Sequence, residues 1–180
     1  MEKMLGRCPA ARKMFFYLPF AVLICACGCG YRFVGSGTFP GGVKSVCIHV
    51  FENHTSQDGA EYIFTNSLVY EFTRRGGVTL AGEKDADAQL LGVVKAIRTD
   101  TITHKDVYAS DQLSVRAQLG VRLVSKSGDL LWADDNISEH EIYDVAGNTA
   151  TISDENRKAA LQELSDKMAE RIYSQLTSDF

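Results

Sequence analysis

The order of hydrophobic periods along the chain predicts an α+β fold. The expected form is a two-layer sandwich, with two helices on one face of a four-stranded, mostly antiparallel sheet, in the order β-α-β-β-β-α. Three observations predict it. In residues 112–124, Leu113, Val115, Ala117, Leu119, Val121 and Leu123 alternate with Ser114, Arg116, Gln118, Gly120 and Arg122. Period two over that length marks a strand with one buried and one open face. Residues 60–75 and 154–177 instead repeat apolar side chains every three or four positions, so each helix has one stripe to bury. Both stripes find cover on the single apolar sheet face. At ~25 cal/mol per Å² buried, about 150 residues build one such core rather than two.

The chain starts apart from this pattern. Lys3, Arg7, Arg12 and Lys13 are followed by a charge-free run from Met14 to Ala26. The run is short of the ~20 residues a membrane-spanning helix needs. A basic start, a short apolar core and small residues after it read as a secretory signal over residues 1–28. Pro19 and the flanking charges weigh against a buried helix there. Cysteines at 25, 27 and 29 follow the apolar run. Small residues directly before a cysteine make a lipoprotein signal, with Cys29 the lipidated residue and Cys27 the alternative. A soft-metal site is the other reading of closely spaced cysteines, and its place directly after a targeting run disfavours it. The whole chain has 19 basic and 23 acidic residues, a net charge of −4. Residues 1–28 hold four of the basic residues and one acid, so the remainder has 15 against 22, or −7. Neither balance suggests nucleic acid, which calls for a clustered basic surface.

Residues 29–42 are glycine-rich and read as a lipidated N-terminus and tether. A single domain, 43–180, follows. Residues 43–51 are β-branched and apolar, a buried strand in which Cys47 is a small buried hydrophobe. If Cys27 carries the lipid instead, Cys29 and Cys47 are free to pair in an oxidising compartment. In the helix 60–75, Phe64, Leu68 and Phe72 form the stripe with Val69 beside it. Arg74 and Arg75 suit the negative end of its dipole, and Gly76-Gly77 terminates it. Residues 86–104 read as a long strand, and 125–129 as a hairpin turn into a returning strand at 130–143. In the last helix Leu161, Leu164, Met168, Ile172 and Leu176 form the stripe, with Ser153 as N-cap.

No pattern of catalysis emerges. His49, His54, His104 and His140 form no metal-ligand spacing, and neither Gly-x-Ser-x-Gly nor a phosphate loop is present. Asp134, Asp135, Glu139 and Glu141 cluster on one strand, where a solvated strand end is the simpler reading than an acid/base pair. The chain therefore reads as an anchored binding or structural module without enzyme activity, metal or cofactor.

The stretch "CGYRFVGSGTFPGGVKSVCIHVFENHT" resembles the start of mature LptE-type lipoproteins, lipopolysaccharide-assembly proteins of the Gram-negative outer membrane. The segments "LVYEFTRRGGVTL" and "DLLWADDNISEHEIY" extend the likeness over residues 29–180. The departures are Cys25, Cys27, an imperfect lipobox and the lone Cys47. The resemblance implies the same two-layer sandwich, and Cys29 as the acylated (palmitate-bearing) cysteine. It also implies an outer-membrane location on the periplasmic side, and a role as the plug of the large β-barrel LptD in lipopolysaccharide assembly. Gly30 after Cys29 fits outer-membrane sorting. The alternative is an outer-membrane lipoprotein that binds a cell-envelope ligand without a barrel partner. A periplasmic hydrolase is a third reading, for which no residue offers itself. For lipopolysaccharide contact the candidates are Arg98, Arg116, Arg122 and Lys105. Guanidinium is a good bidentate partner for phosphate. Setting His104 opposite Gln112 places Arg98 opposite Gln118, with Arg116 its diagonal neighbour and Arg122 further along the open face.

Overall fold

Six strands, two α-helices and one short 3-10 helix, Pro40–Gly42, make up the regular structure of the described residues. The computed structural model describes residues 39–102, 112–145 and 150–178, all within one compact unit, Gly35–Phe180. The basic and apolar leader, Cys27, Cys29, the tether up to residue 38, His104 and Lys105 lie outside the described residues. The elements are β1 (Ser45–Ile48), β2 (Glu52–Asn53), α1 (Ala60–Arg75), β3 (Thr79–Leu80), β4 (Ala88–Ile102), β5 (Gln112–Ser125), β6 (Leu130–Asp144) and α2 (Ala150–Ser178). The α+β class, both helices and the three long strands agree with the sequence reading.

The sheet itself differs from the expectation in strand number and direction. Its order is β3-β1-β4-β5-β6, with β2 also paired to β4. The β1–β3, β1–β4 and β2–β4 pairs are parallel, while β4–β5 and β5–β6 are antiparallel. The sheet is therefore mixed, with six strands rather than four. A helix between two strands carries the chain back across the sheet, so the next strand runs parallel to the first. Here α1 does this between β1 and β3, a two-residue strand too short to show a period.

The expected strand 43–51 is broken into β1 and β2, and both pieces pair with β4. Phe51 causes the break. Its ring is 3% exposed and lies flat on Gly92, where any Cβ would fall inside it. Turning that ring inward takes residues 49–51 out of the ladder. His49 N–H donates to Leu90 O at 3.1 Å and His54 N–H to Val94 O at 3.0 Å on either side of the jog. The Phe51 N–H finds Thr65 Oγ1 on α1 at 3.0 Å. Cys47 differs too. It pairs across from Gln89, on the face opposite the core, and is half-buried and free. Burial, and then Glu83, pushes its thiol up.

The core lies between the helices and one sheet face. It takes Phe64, Leu68 and Phe72 from α1, with Leu161, Leu164, Met168, Ile172 and Leu176 from α2. Against them stand Val46, Leu90, Val94, Val115, Ala117, Leu119, Val121, Leu123 and Ile137 of the sheet. Gly76 ends α1 with a positive φ of 69°, and its N–H returns to Phe72 O. Tyr173 of α2 closes that corner. Its hydroxyl donates to Gly76 O at 2.6 Å, its ring is edge-on to Phe72 and Phe39, and Arg75 stacks over it at 5.4 Å. A side chain at Gly77 would come within 2.8 Å of the same hydroxyl. The helix α2 begins four residues before the expected start, so Ser153 lies within its first turns rather than at its cap. Asn156 Nδ2 donates to Asp144 O at 2.9 Å, tying those turns to the end of β6.

Candidate functional site

Among the described residues no helix covers the second face of the sheet, and that face holds Arg98, Arg116 and Arg122. On β5, Val115, Ala117, Leu119, Val121 and Leu123 turn to the core. Arg116, Gln118, Gly120, Arg122 and Val124 therefore turn the other way. Directly opposed residues on neighbouring strands share a face, so the strand pairing lays out the open surface row by row.

The register differs by two residues from the one assumed from the sequence. Arg98 lies opposite Arg116, and Ala96, not Arg98, lies opposite Gln118. The hairpin closes with Ile102 opposite Gln112. On the far side of β5, Arg116 faces His140. The row is thus Arg98–Arg116–His140. None of the three side chains makes a hydrogen bond or ion pair among the described residues. Arg122 does not join them. It is six residues further along β5, roughly 20 Å at 3.3 Å per residue, between Leu91 and Ala133. There it borders a shallow groove of about 450 Å³ lined by Leu91, Val93, Val124, Leu130 and Ala133. Lys105 lies outside the described residues.

Gly120 separates the two ends of this face. The β4–β5 ladder shifts register between Val94 and Ala96, and the β5–β6 ladder between Leu119 and Val121. Both irregularities flank Gly120. A Cβ on it would meet Lys95 Cε at 2.7 Å and Asp135 Oδ1 at 2.9 Å. Without one, Lys95 reaches across and donates to Asp135 O at 2.6 Å and to Asp135 Oδ1 at 3.1 Å.

The four carboxylates clustered in the sequence are split by strand parity and by the bulge. Glu139 receives Arg171 Nη1 at 2.6 Å, and Glu141 pairs with Lys167, both from α2. Asp134 accepts from Gln175 Nε2 at 3.2 Å, also on α2. Asp135 alone turns to the open face, to Lys95. They form no joint acid/base site, and each has a partner. On α1 the buried Glu71 is likewise held by Arg74, at 2.7 Å, and by Arg75. His140 entered the sequence reading only among the histidines weighed as metal ligands, not as a neighbour of Arg116. Its only sequence signal is even numbering on β6, which acquires meaning once the register against β5 is known.

Among the described residues, then, the fold is an α+β sandwich with both helices on one sheet face and a row of two arginines and a histidine on the other. Solved structures share the fold. Lipoprotein B of Nitrosomonas europaea matches with a TM-score of 0.51 at 11% identity, over 83% of this chain and 92% of its own. The rare lipoprotein B of Shewanella oneidensis matches with 0.50 at 13%, over 71% and 93%. No curated protein sequence matches the chain. The family is shown by a sequence profile: the chain belongs to the LptE family, lipopolysaccharide-assembly, which matches residues 43–176.

Proposed function

We propose that this protein is an outer-membrane lipoprotein that seats its folded domain in an LptD-type β-barrel and assists lipopolysaccharide assembly. The observation that carries the reading is the family match across nearly the whole folded domain. Residues 1–28 are the lipoprotein signal, Cys29 is the acylated residue with Cys27 the alternative, and 29–42 is the tether. The anchor holds the domain on the periplasmic side.

Physical argument supports a protein partner for most of the surface. With the signal removed, the chain has a net charge of −7, from 15 basic and 22 acidic residues. That charge repels an anionic glycolipid at long range. Lipid contact is therefore local, at Arg98, Arg116, Arg122 and Lys105, and the rest of the polar surface suits the polar lumen of a wide barrel. The complex forms through the folded domain rather than through the acyl chains.

The test is a Cys29→Ala chain exported by an ordinary signal, in cells expressing the cognate barrel at matched levels. Co-purification of the soluble domain with the barrel is the expected result. Recovery as a free monomer overturns the plug reading. Mass spectrometry of the mature N-terminus decides the anchor: acylation at Cys29 is expected, acylation at Cys27 moves the site, and an unmodified N-terminus removes the anchor.

A further inference from the structure

The far half of β6 has an open edge. Among the described residues β6 pairs with β5 alone. Ser138 O accepts from Arg171 Nη1 at 3.4 Å and Asp144 O from Asn156 Nδ2 at 2.9 Å, both on α2, so these carbonyls point away from β5. Alternate residues of a strand direct their backbone groups to the same side. The N–H and C=O of His140 and Ile142 therefore point outward too, and neither residue has a backbone partner there among the described residues. Ile142 is 48% exposed on this edge. Beside it, between β6 and α2, runs a groove of about 260 Å³ lined by Glu141, Tyr143, Asn156, Ala159 and Glu163. Unpaired backbone, an exposed isoleucine and a groove alongside make a template for one more strand.

The chain brings its own segment to this edge. Phe39 is buried, with its ring centroid 5.7 Å from those of Phe72 and Tyr173. Two residues on, a Cβ at Gly41 would stand 3.3 Å from Leu131 Cδ2. The tether therefore enters the fold at the start of β6. Followed backwards from there, it runs along β6 in the antiparallel sense. Tyr31–Val34 stand seven to ten residues before Gly41, and Ser138–Glu141 stand seven to ten after Leu131. Equal counts at ~3.3 Å per residue bring the two stretches abreast. Tyr31, Phe33 and Val34 are strand-forming types. We propose that Tyr31–Val34 add to the outer edge of β6 as an antiparallel seventh strand. Charge sets which way it faces. Arg32 turns to the groove beside Glu141 and Glu163, with Val34 on the same side, and Tyr31 and Phe33 turn to the open face against Ile142. A segment so close in the chain has an effective concentration on the order of mM, so weak pairing suffices. A second copy is the poorer occupant, because 15 basic against 22 acidic residues beyond residue 28 make two copies repel. The added strand does not depend on the barrel reading. With Cys29 acylated, it holds the domain two residues from its anchor.

The experiment is hydrogen exchange on the full acylated chain in neutral detergent, without the barrel. The His140 and Ile142 amides should be protected at every protein concentration. Tyr31→Gly/Phe33→Gly should speed their exchange roughly ten-fold or more, as loss of a local cooperative unit does. Arg32→Glu should speed it by a smaller factor, and Ser36→Gly should leave it unchanged. The Leu119 and Leu123 amides should stay protected in all four chains, which shows that the domain is folded. Fast exchange at His140 and Ile142 in the wild type overturns the added strand, and so does protection that survives Tyr31→Gly/Phe33→Gly. Protection that rises with protein concentration makes a second copy the occupant and overturns it. Protection that appears only when an LptD-type barrel is added gives the edge to a partner strand, which overturns the proposal and leaves the barrel reading intact.

Discussion

The two faces of the sheet come from the same strands and obey opposite rules. Toward the helices, β5 buries Val115, Ala117, Leu119, Val121 and Leu123, and charges at the margin of that side are paired across to α2. Toward the open side, the intervening residues of the same strand carry Arg116 and Arg122, whose side chains have no partner among the described residues. The difference teaches which interactions hold the fold and which are kept for something else. Apolar area taken out of water is worth ~25 cal/mol per Å², so the helix side supplies stability. An opposed pair of like charges subtracts from it, so the open side bears a cost that binding an anion would offset.

The comparison can be broken most sharply at neighbouring residues. Leu119 is 1% exposed, and Leu119→Ala should cost roughly 2–5 kcal/mol, the range for a buried leucine whose space cannot fully collapse. The side chain of Gln118, one residue away, donates to Asn136 Oδ1 at the surface. Gln118→Ala should cost within about 0.5 kcal/mol. Similar shifts of the urea midpoint for the two would mean that the faces are exchanged.

Two glycines make a second, smaller contrast. Gly92→Ala drives a methyl into the Phe51 ring, which is buried and has nowhere to go. A cost of about 1–3 kcal/mol is expected, as for overpacking elsewhere. Gly120→Ala meets only the ends of Lys95 and Asp135, flexible side chains at the surface. It should be nearly neutral, because the lost surface ion pair is worth no more than about 1 kcal/mol. Thermal unfolding that ranks Gly120→Ala as the worse substitution would contradict the assignment of the bulged region to the open face.

The smallest expected effects differ in sign. Arg171→Gln removes the pair with Glu139 and should lower stability by up to about 1 kcal/mol. Arg116→Gln removes one member of an unpaired like-charge row and should raise stability by a few tenths of a kcal/mol. Both shifts should shrink between low salt and ~1 M salt, where the screening length falls to about 3 Å. Denaturation midpoints at the two salt concentrations check both signs. A destabilised Arg116→Gln would show that the arginine has a structural partner, and would weaken the case for a ligand in its place.

What the chain determines alone is its local periods. The alternation in 112–124 marks Val115, Ala117, Leu119, Val121 and Leu123 as the core side of β5, although Leu113 is only half-buried and Ser114, on the other side, is buried; all five residues of the α2 stripe, Leu161 to Leu176, are in the core. The class, the bounds of α1 and the three long strands follow, because each is written in side chains a few positions apart. The tertiary structure decided the rest, and each case has a non-local cause. The break between β1 and β2 depends on Gly92, 41 residues after Phe51. The parallel pairing of β1 depends on where α1 returns the chain, and β3 is too short to carry any period. Most consequential is the register. A strand shows which face a residue occupies, but its partner across the ladder depends on bulges in two other strands. The shift at Lys95 belongs to β4, and the one between Leu119 and Val121 belongs to its pairing with β6. Two arginines and a histidine far apart in sequence became one row only after those displacements were made, because period two sorts faces and leaves neighbours across strands free.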